Sequence, residues 1–172
     1  MGEKSTTPQR SEEKRVAITP VESLMDKISQ ASQAITRRAY EIFEANGRRF
    51  GRDLDDWFKA EMELLHPVHV SITETEDDLE LKAEVPGFNE KEIEVSVEPS
   101  RLTITGKRET RKEKKGKAVY SELCSDQIMR IVDLPANVDT GKATATLKNG
   151  VLHLTLPKAA RAKTIEVKSR AA

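Results

Sequence analysis

The sequence predicts an all-β, immunoglobulin-like sandwich preceded by an α-helical region, and three observations carry that expectation. Apolar residues recur at spacings of three and four as far as Leu65, and the period changes to two after Pro67. Turn-forming residues then punctuate short apolar alternations up to Pro157. At 172 residues, 37% of them apolar and 34% charged, the chain can hold one ordinary domain plus extra segments, with a lean core. Aromatic residues are only 4%, which argues against a base-stacking platform. The formal net charge is zero, so no long-range field steers the molecule toward nucleic acid or an anionic membrane. Near-neutral proteins tend to associate. Cys124 is the single cysteine, so no internal disulfide framework exists, and no run resembles a secretory signal or a membrane span. A cytoplasmic protein is expected.

Residues 1–18 read as a disordered arm, since Met1 to Arg15 is rich in Ser, Thr, Glu and Lys with no periodicity. The helical region, residues 19–66, opens on Thr19-Pro20-Val21-Glu22, in which Thr19 is the expected cap and Pro20 takes the first-turn slot. Val21, Leu24, Ile28, Ala31, Ile35, Ala39 and Ile42 then draw one apolar stripe down a helix of about seven turns, ending near Asn46-Gly47. A second helix is expected from a capping Asp53 to Pro67, with Leu54, Trp57, Phe58, Met62 and Leu65 on one side. The two form a helical hairpin candidate whose stripes must bury against each other, the later domain or another subunit.

The sandwich spans residues 67–157. Alternations run through Val68–Ile72, Leu79–Val85, Ile93–Val97, Leu102–Ile104, Ile128–Leu134, Ala143–Leu147 and Leu152–Leu156. Asn149-Gly150 signals a tight hairpin between the last two. No helical crossover fits between these strands, so the sheets should be antiparallel. Lys107 to Lys117 reads KRETRKEKKGK, too polar for a core, and the extension at 158–172 is polar except for Ile165 and Val167.

From Pro67 to Val167 the chain resembles the small heat-shock proteins, the α-crystallin domain family. Ala145-Thr146-Leu147-Lys148-Asn149-Gly150-Val151-Leu152 is similar to the family's A-x-x-x-N-G-V-L signature, with Asn149, Gly150, Val151 and Leu152 forming its turn. Val85-Pro86-Gly87-Phe88 with Glu92-Ile93-Glu94-Val95, Leu102-Thr103-Ile104-Thr105-Gly106, and Ile128-Met129-Arg130-Ile131-Val132-Asp133-Leu134-Pro135 resemble three further segments in the right order. Ile128 and Val132 stand where many members have phenylalanine, and Ile165-Glu166-Val167 replaces the commoner I-x-I, a one-methylene change that should be tolerated. Residues 35–65 resemble a short uncharacterised bacterial helical module through Arg38-Ala39-Tyr40-Glu41-Ile42, Asp53-Leu54-Asp55-Asp56-Trp57 and Ala60-Glu61. This suggests a bacterial source and adds no chemistry.

The resemblance implies an ATP-independent holding chaperone that self-assembles and binds partly unfolded proteins. In the bacterial and plant branches the long loop adds a strand to a neighbouring subunit. Here that loop is 107–123, Ala118-Val119-Tyr120 is the expected swap strand, and Val68 to Ile72 would receive it. Ile165 and Val167, two apart in an extended tail, point the same way. They would fill a groove between the Ile93, Val95, Val97 strand and the Ala145, Leu147 strand of another dimer. Burying both contributes about 3–5 kcal/mol before ordering costs, which is weak and reversible binding unless repeated around an oligomer. Val21, Leu24, Ile28, Ile35, Phe43, Trp57 and Phe58 are candidate client contacts and equally candidates for subunit packing.

Other readings weigh less. His66 and His69 span a helix-to-strand junction with no cysteine or acidic cluster to complete a metal site, and His153 lies opposite Leu152 and Leu154. Cys124 has no sequence neighbour that would lower its pKa, though an intersubunit disulfide is open. The basic run has a net charge of +5 but no interleaved aromatic, so a solvated loop explains it without nucleic acid. Arg130 alternates with Ile128 and Val132, and is expected to be partly buried and to serve the dimer interface. No phosphate loop, nucleophile–base pair, cofactor motif or small-molecule site stands out, and Arg37-Arg38 is too little cation for a membrane anchor. The rival is a monomeric sandwich-type binding or co-chaperone adaptor module, which would lack both the swap loop and the apolar tail pair.

Overall fold

The computed structural model describes residues 13–111 and 123–160. A two-residue strand β1 (Lys14–Arg15) precedes helices α1 (Val21–Ala45) and α2 (Asp53–Leu64). Then follow β2 (Val70–Glu74), β3 (Asp78–Glu84), β4 (Ile93–Glu98), β5 (Arg101–Arg111), β6 (Leu123–Asp133), β7 (Thr144–Lys148) and β8 (Val151–Pro157), with a 3-10 turn at Thr140–Lys142. All named strand pairs are antiparallel, in a sheet ordered β1-β7-β8-β3-β2 and a second ordered β4-β5-β6. This is the expected sandwich behind a helical region.

Alternation explains the core. Along β3, Leu79, Leu81 and Ala83 are buried while Glu80, Lys82 and Glu84 are exposed, and Leu152, Leu154 and Leu156 of β8 meet the same core. Ile93 and Val95 of β4 and Leu102 and Ile104 of β5 close it from the other sheet. Between β7 and β8 the turn takes Asn149 and Gly150 into positive φ, 52° and 74°, as a two-residue hairpin with the native twist demands. A side chain at Gly150 would also lie 3.3 Å from Pro86 Cα.

The second sheet is covered on both faces. Ser96, Thr103 and Thr105 point away from the sandwich core yet are buried, because α1 lies over that face. Leu24 and Ala31 are buried there, and Lys27 Nζ is paired with Glu94 of β4. Further along, Ile35 and Ile42 meet Ala60 and Leu65 in a smaller core that also holds Trp57 and Met129 of β6.

Five expectations need correction. The arm expected over 1–18 does not hold for residues 13–18, which lie against the sheet edges; residues 1–12 fall outside the described residues. Thr19 does not cap α1: its hydroxyl donates instead to the Val95 carbonyl, 3.5 Å away, and Pro20 is the cap residue. Asp53 is the first residue of α2 rather than its cap. On α2, Trp57, Ala60 and Leu65 turn inward, but Leu54, Phe58 and Met62 face outward with 71%, 56% and 81% exposure, since α1 is too narrow to cover both flanks. The loop expected over 107–123 does not hold for residues 107–111 and 123, which are strand, because β5 and β6 stay paired to Arg111 and Leu123; residues 112–122 fall outside the described residues.

Candidate functional site

β4 and β7 are the strands on one side of the sandwich, one from each sheet. They carry the residues expected to form a tail-receiving groove, Ile93, Val95 and Val97 on one wall and Ala145 and Leu147 on the other. All but half-buried Val97 are buried, and all five lie in or against the same apolar cluster. The structure brings these residues together, and it also shows what lies along them. Lys14 and Arg15 pair with Leu147 and Thr146 of β7, and the Val16 amide donates to the Ala145 carbonyl at 3.0 Å. The chain then crosses to the other sheet, where Ile18 bridges Val95 and the Thr19 amide donates to the Val95 carbonyl at 2.8 Å. Val16 is 5% exposed and joins the core, with Ile18 packed against it. Lys14 lies 3.5 Å from Glu90, and Lys148 lies 3.3 Å from Glu13. The Glu90 carboxyl sits below its ordinary value, held there first by a backbone hydrogen bond and then by Lys14. A sequence signal for this segment exists: Val16-Ala17-Ile18 has the same apolar-x-apolar spacing as Ile165-Glu166-Val167. Three residues are too few for a periodicity argument to register them.

On the opposite side, β2 is the last strand of its sheet, and among the described residues nothing pairs with its outer edge. Ser71 to Glu74 are exposed, Ile72 included at 36%. Beside it opens a cavity of about 670 Å³ between α2, the His66–Val70 segment and β6, lined by Phe58, Met62, Val68, Val70, Met129 and Arg130 among others. Arg130 is exposed, not partly buried as alternation with Ile128 suggests. The strand reaches the open side of the sandwich there, and Ile131 on its other face is exposed as well.

The other candidates divide. Of the seven proposed client-contact residues, Leu24 and Ile35 are buried, Val21, Ile28, Phe43 and Trp57 are half-buried, and Phe58 is exposed. Val151 is half-buried and Leu152 buried behind the Asn149-Gly150 turn. Ala118, Val119, Tyr120, Ile165 and Val167 lie outside the described residues.

An electrostatic knot in the outer part of the β5–β6 ladder has no counterpart in the sequence reading. Arg108 and Asp126 are direct cross-strand partners. The Arg108 guanidinium bonds the Asp126 carboxylate through Nε, at 3.1 Å, and through Nη2, and donates to the Gly87 carbonyl through Nη1. Its carbon lies 5.4 Å from the Phe88 ring centre. His66 Nε2 is 2.9 Å from the other Asp126 oxygen, and the His66 amide donates to Gln127. Arg108 first, then His66, holds the Asp126 carboxyl below its usual range. His66 is therefore a junction residue with a carboxylate partner, which adjacency in sequence could not reveal.

Two sheets of these orders, the second carrying a long β5–β6 hairpin, make an α-crystallin type of β-sandwich with a helical region in front. The chain belongs to the Hsp20/alpha crystallin family, whose model matches residues 71–170. A second model, described as a protein of unknown function (DUF2934), matches residues 32–66, the helical segment. The chain is similar to small heat shock protein C2 of Rickettsia felis, 38% identical over 100 residues that cover 56% of this chain and 65% of that one. It is similar also to a probable 15 kDa heat shock protein of Leptospira interrogans, 38% identical over 112 residues, 64% of this chain and 85% of that one. Among solved structures it resembles a small heat-shock protein from Xylella fastidiosa, with 27% identity, a TM-score of 0.46, and coverage of 62% of this chain and 98% of that one. The chain spans 65%, 52% and 60% of the length of three of its curated relatives.

Proposed function

We propose that this protein is an ATP-independent holding chaperone that assembles from copies of itself and binds partly unfolded proteins. The single observation that carries the reading is the outer edge of β2, which nothing pairs among the described residues and which presents backbone donors and acceptors beside an apolar cavity. Family membership supports the same reading. On it, Ala118-Val119-Tyr120 of one copy adds to β2 of another, Arg130 lies at that interface, and Ile165 and Val167 dock in the β4–β7 groove of a neighbouring dimer. Clients bind by apolar contact. Phe58, with Leu54 and Met62 on the same flank of α2, is available without rearrangement, whereas Leu24 becomes available only when α1 lifts from its sheet and Ile35 only when α1 parts from α2. No chemical step, nucleotide or metal is part of the mechanism, and the cytoplasm is its proposed location.

The test is light scattering from a heat-denatured client, without ATP, with the full chain and with a chain ending at Lys163. Suppression by the full chain, together with smaller assemblies and altered activity from the shortened one, is the expected result. A full chain that runs as a monomer and leaves scattering unchanged at several-fold excess refutes the holdase reading in favour of a monomeric adaptor module.

A further inference from the structure

The groove between β4 and β7 already has an occupant, and it is a piece of the same chain. Val16 and Ile18 stand two apart in an extended segment and meet the buried wall residues of that groove. The backbone acceptors are in use as well: the Ala145 carbonyl receives Val16, the Val95 carbonyl receives Thr19, and β1 is paired along β7. An added segment from elsewhere therefore finds the apolar wall at Val95 and Ala145 already met by Val16 and Ile18, and the β7 edge already paired. We propose that Val16-Ala17-Ile18 is an internal stand-in for the Ile165-Glu166-Val167 tail of a second copy, so that the two compete for one groove. Docking of that tail displaces the N-terminal segment and unfastens the start of α1. This deepens the assembly reading above and rests on its claim that the tail docks in this groove.

The coupling to α1 follows from chain continuity. Only Thr19 and Pro20 separate Ile18 from the first residue of the helix, and Pro20 has its φ restricted by its ring. A segment drawn out of the groove thus carries the helix start with it. The seat that α1 leaves is lined by Glu94, Ser96, Thr103 and Thr105, groups that water solvates well. Lifting α1 from such a face carries a smaller penalty than uncovering an apolar sheet. What it does release is Leu24 and Ala31 on the helix itself.

A fluorescent peptide copying residues 160–172 tests the competition, titrated into full-length chain in which Ile165→Asp and Val167→Asp disable its own tail. Adding Val16→Ser and Ile18→Ser should tighten peptide binding about tenfold or more, as expected when a closed groove is open only about a tenth of the time. Because Val16 is a core residue, a second measurement leaves the segment unaltered. Hydrogen exchange is followed over residues 13–19 of the tail-disabled chain, and saturating peptide should strip protection from the Val16 and Thr19 amides. Equal affinity for both chains, with those amides still protected when peptide is bound, overturns the competition while leaving the tail-docking reading in place. Peptide that binds neither chain overturns both.

Discussion

At the scale of single residues, the best-defined electrostatic feature is Asp126, clamped between Arg108 and His66 where hairpin, turn and helical linker converge. Its carboxyl titrates below its unfolded value, chiefly because of Arg108. The ionised form is thus favoured by folding, and its contribution is present above the unfolded pKa and lost as pH falls through the folded one. Denaturant unfolding of the unaltered protein and of Asp126→Asn should differ most near neutral pH, with the gap closing in the acid range. A gap that stays constant with pH would mean the side chain acts by shape rather than charge. None of this was legible from the chain alone, because Arg108, Asp126 and His66 lie far apart in sequence and the antiparallel register alone joins the first two. Arg130 shows the reverse: alternation with Ile128 implies burial, but alternation cannot tell that β6 is the edge strand of its sheet, on the open side of the sandwich.

At the scale of elements, α1 is an apolar stripe resting on a sheet whose outward face is polar. Leu24, fully buried, is its first anchor. Leu24→Ala should lower stability by about 2–5 kcal/mol, as a buried leucine truncation does, whereas Met25→Ala, at 56% exposure, should change it by less than about 0.5 kcal/mol. Denaturant midpoints at fixed protein concentration decide it, and equal effects would contradict the seating of the helix. The stripe itself was readable, because Leu24, Ala31, Ile35 and Ile42 follow the helical period and all are buried. What it rests on was not, since periodicity names a face and never a partner. α2 shows the limit most plainly: Leu54, Phe58 and Met62 share the spacing of a core flank and are nonetheless exposed. Strands were the most legible part, because period-two alternation and turn residues act locally and agree with the packing. The β1 segment escaped notice because long-range pairing holds it, not local pattern.

At the scale of the whole molecule, the sandwich has one fastened side and, among the described residues, one bare side. Residues 13–18 tie β7 to β4, while β2 and Arg130 face the cavity on the other side. Arg130→Ala should weaken the proposed dimer by about tenfold or more, as loss of an interface arginine does, and shift the unfolding free energy of the isolated domain by less than about 0.5 kcal/mol because the side chain is exposed. Sedimentation at a series of concentrations reads the first and denaturant unfolding the second. Unchanged association alongside a collapsed melting temperature would reassign Arg130 to the fold. The fastened side has a further consequence for biosynthesis. Glu13 and Lys148, which meet across it, are 135 residues apart in the chain. Such a contact closes a very long loop, and a growing chain cannot make it until β7 has been synthesised. Residues 13–18 therefore stay untied until the chain has been made as far as Lys148, so the clasp closes only after strands β2 to β6 exist to pair with one another.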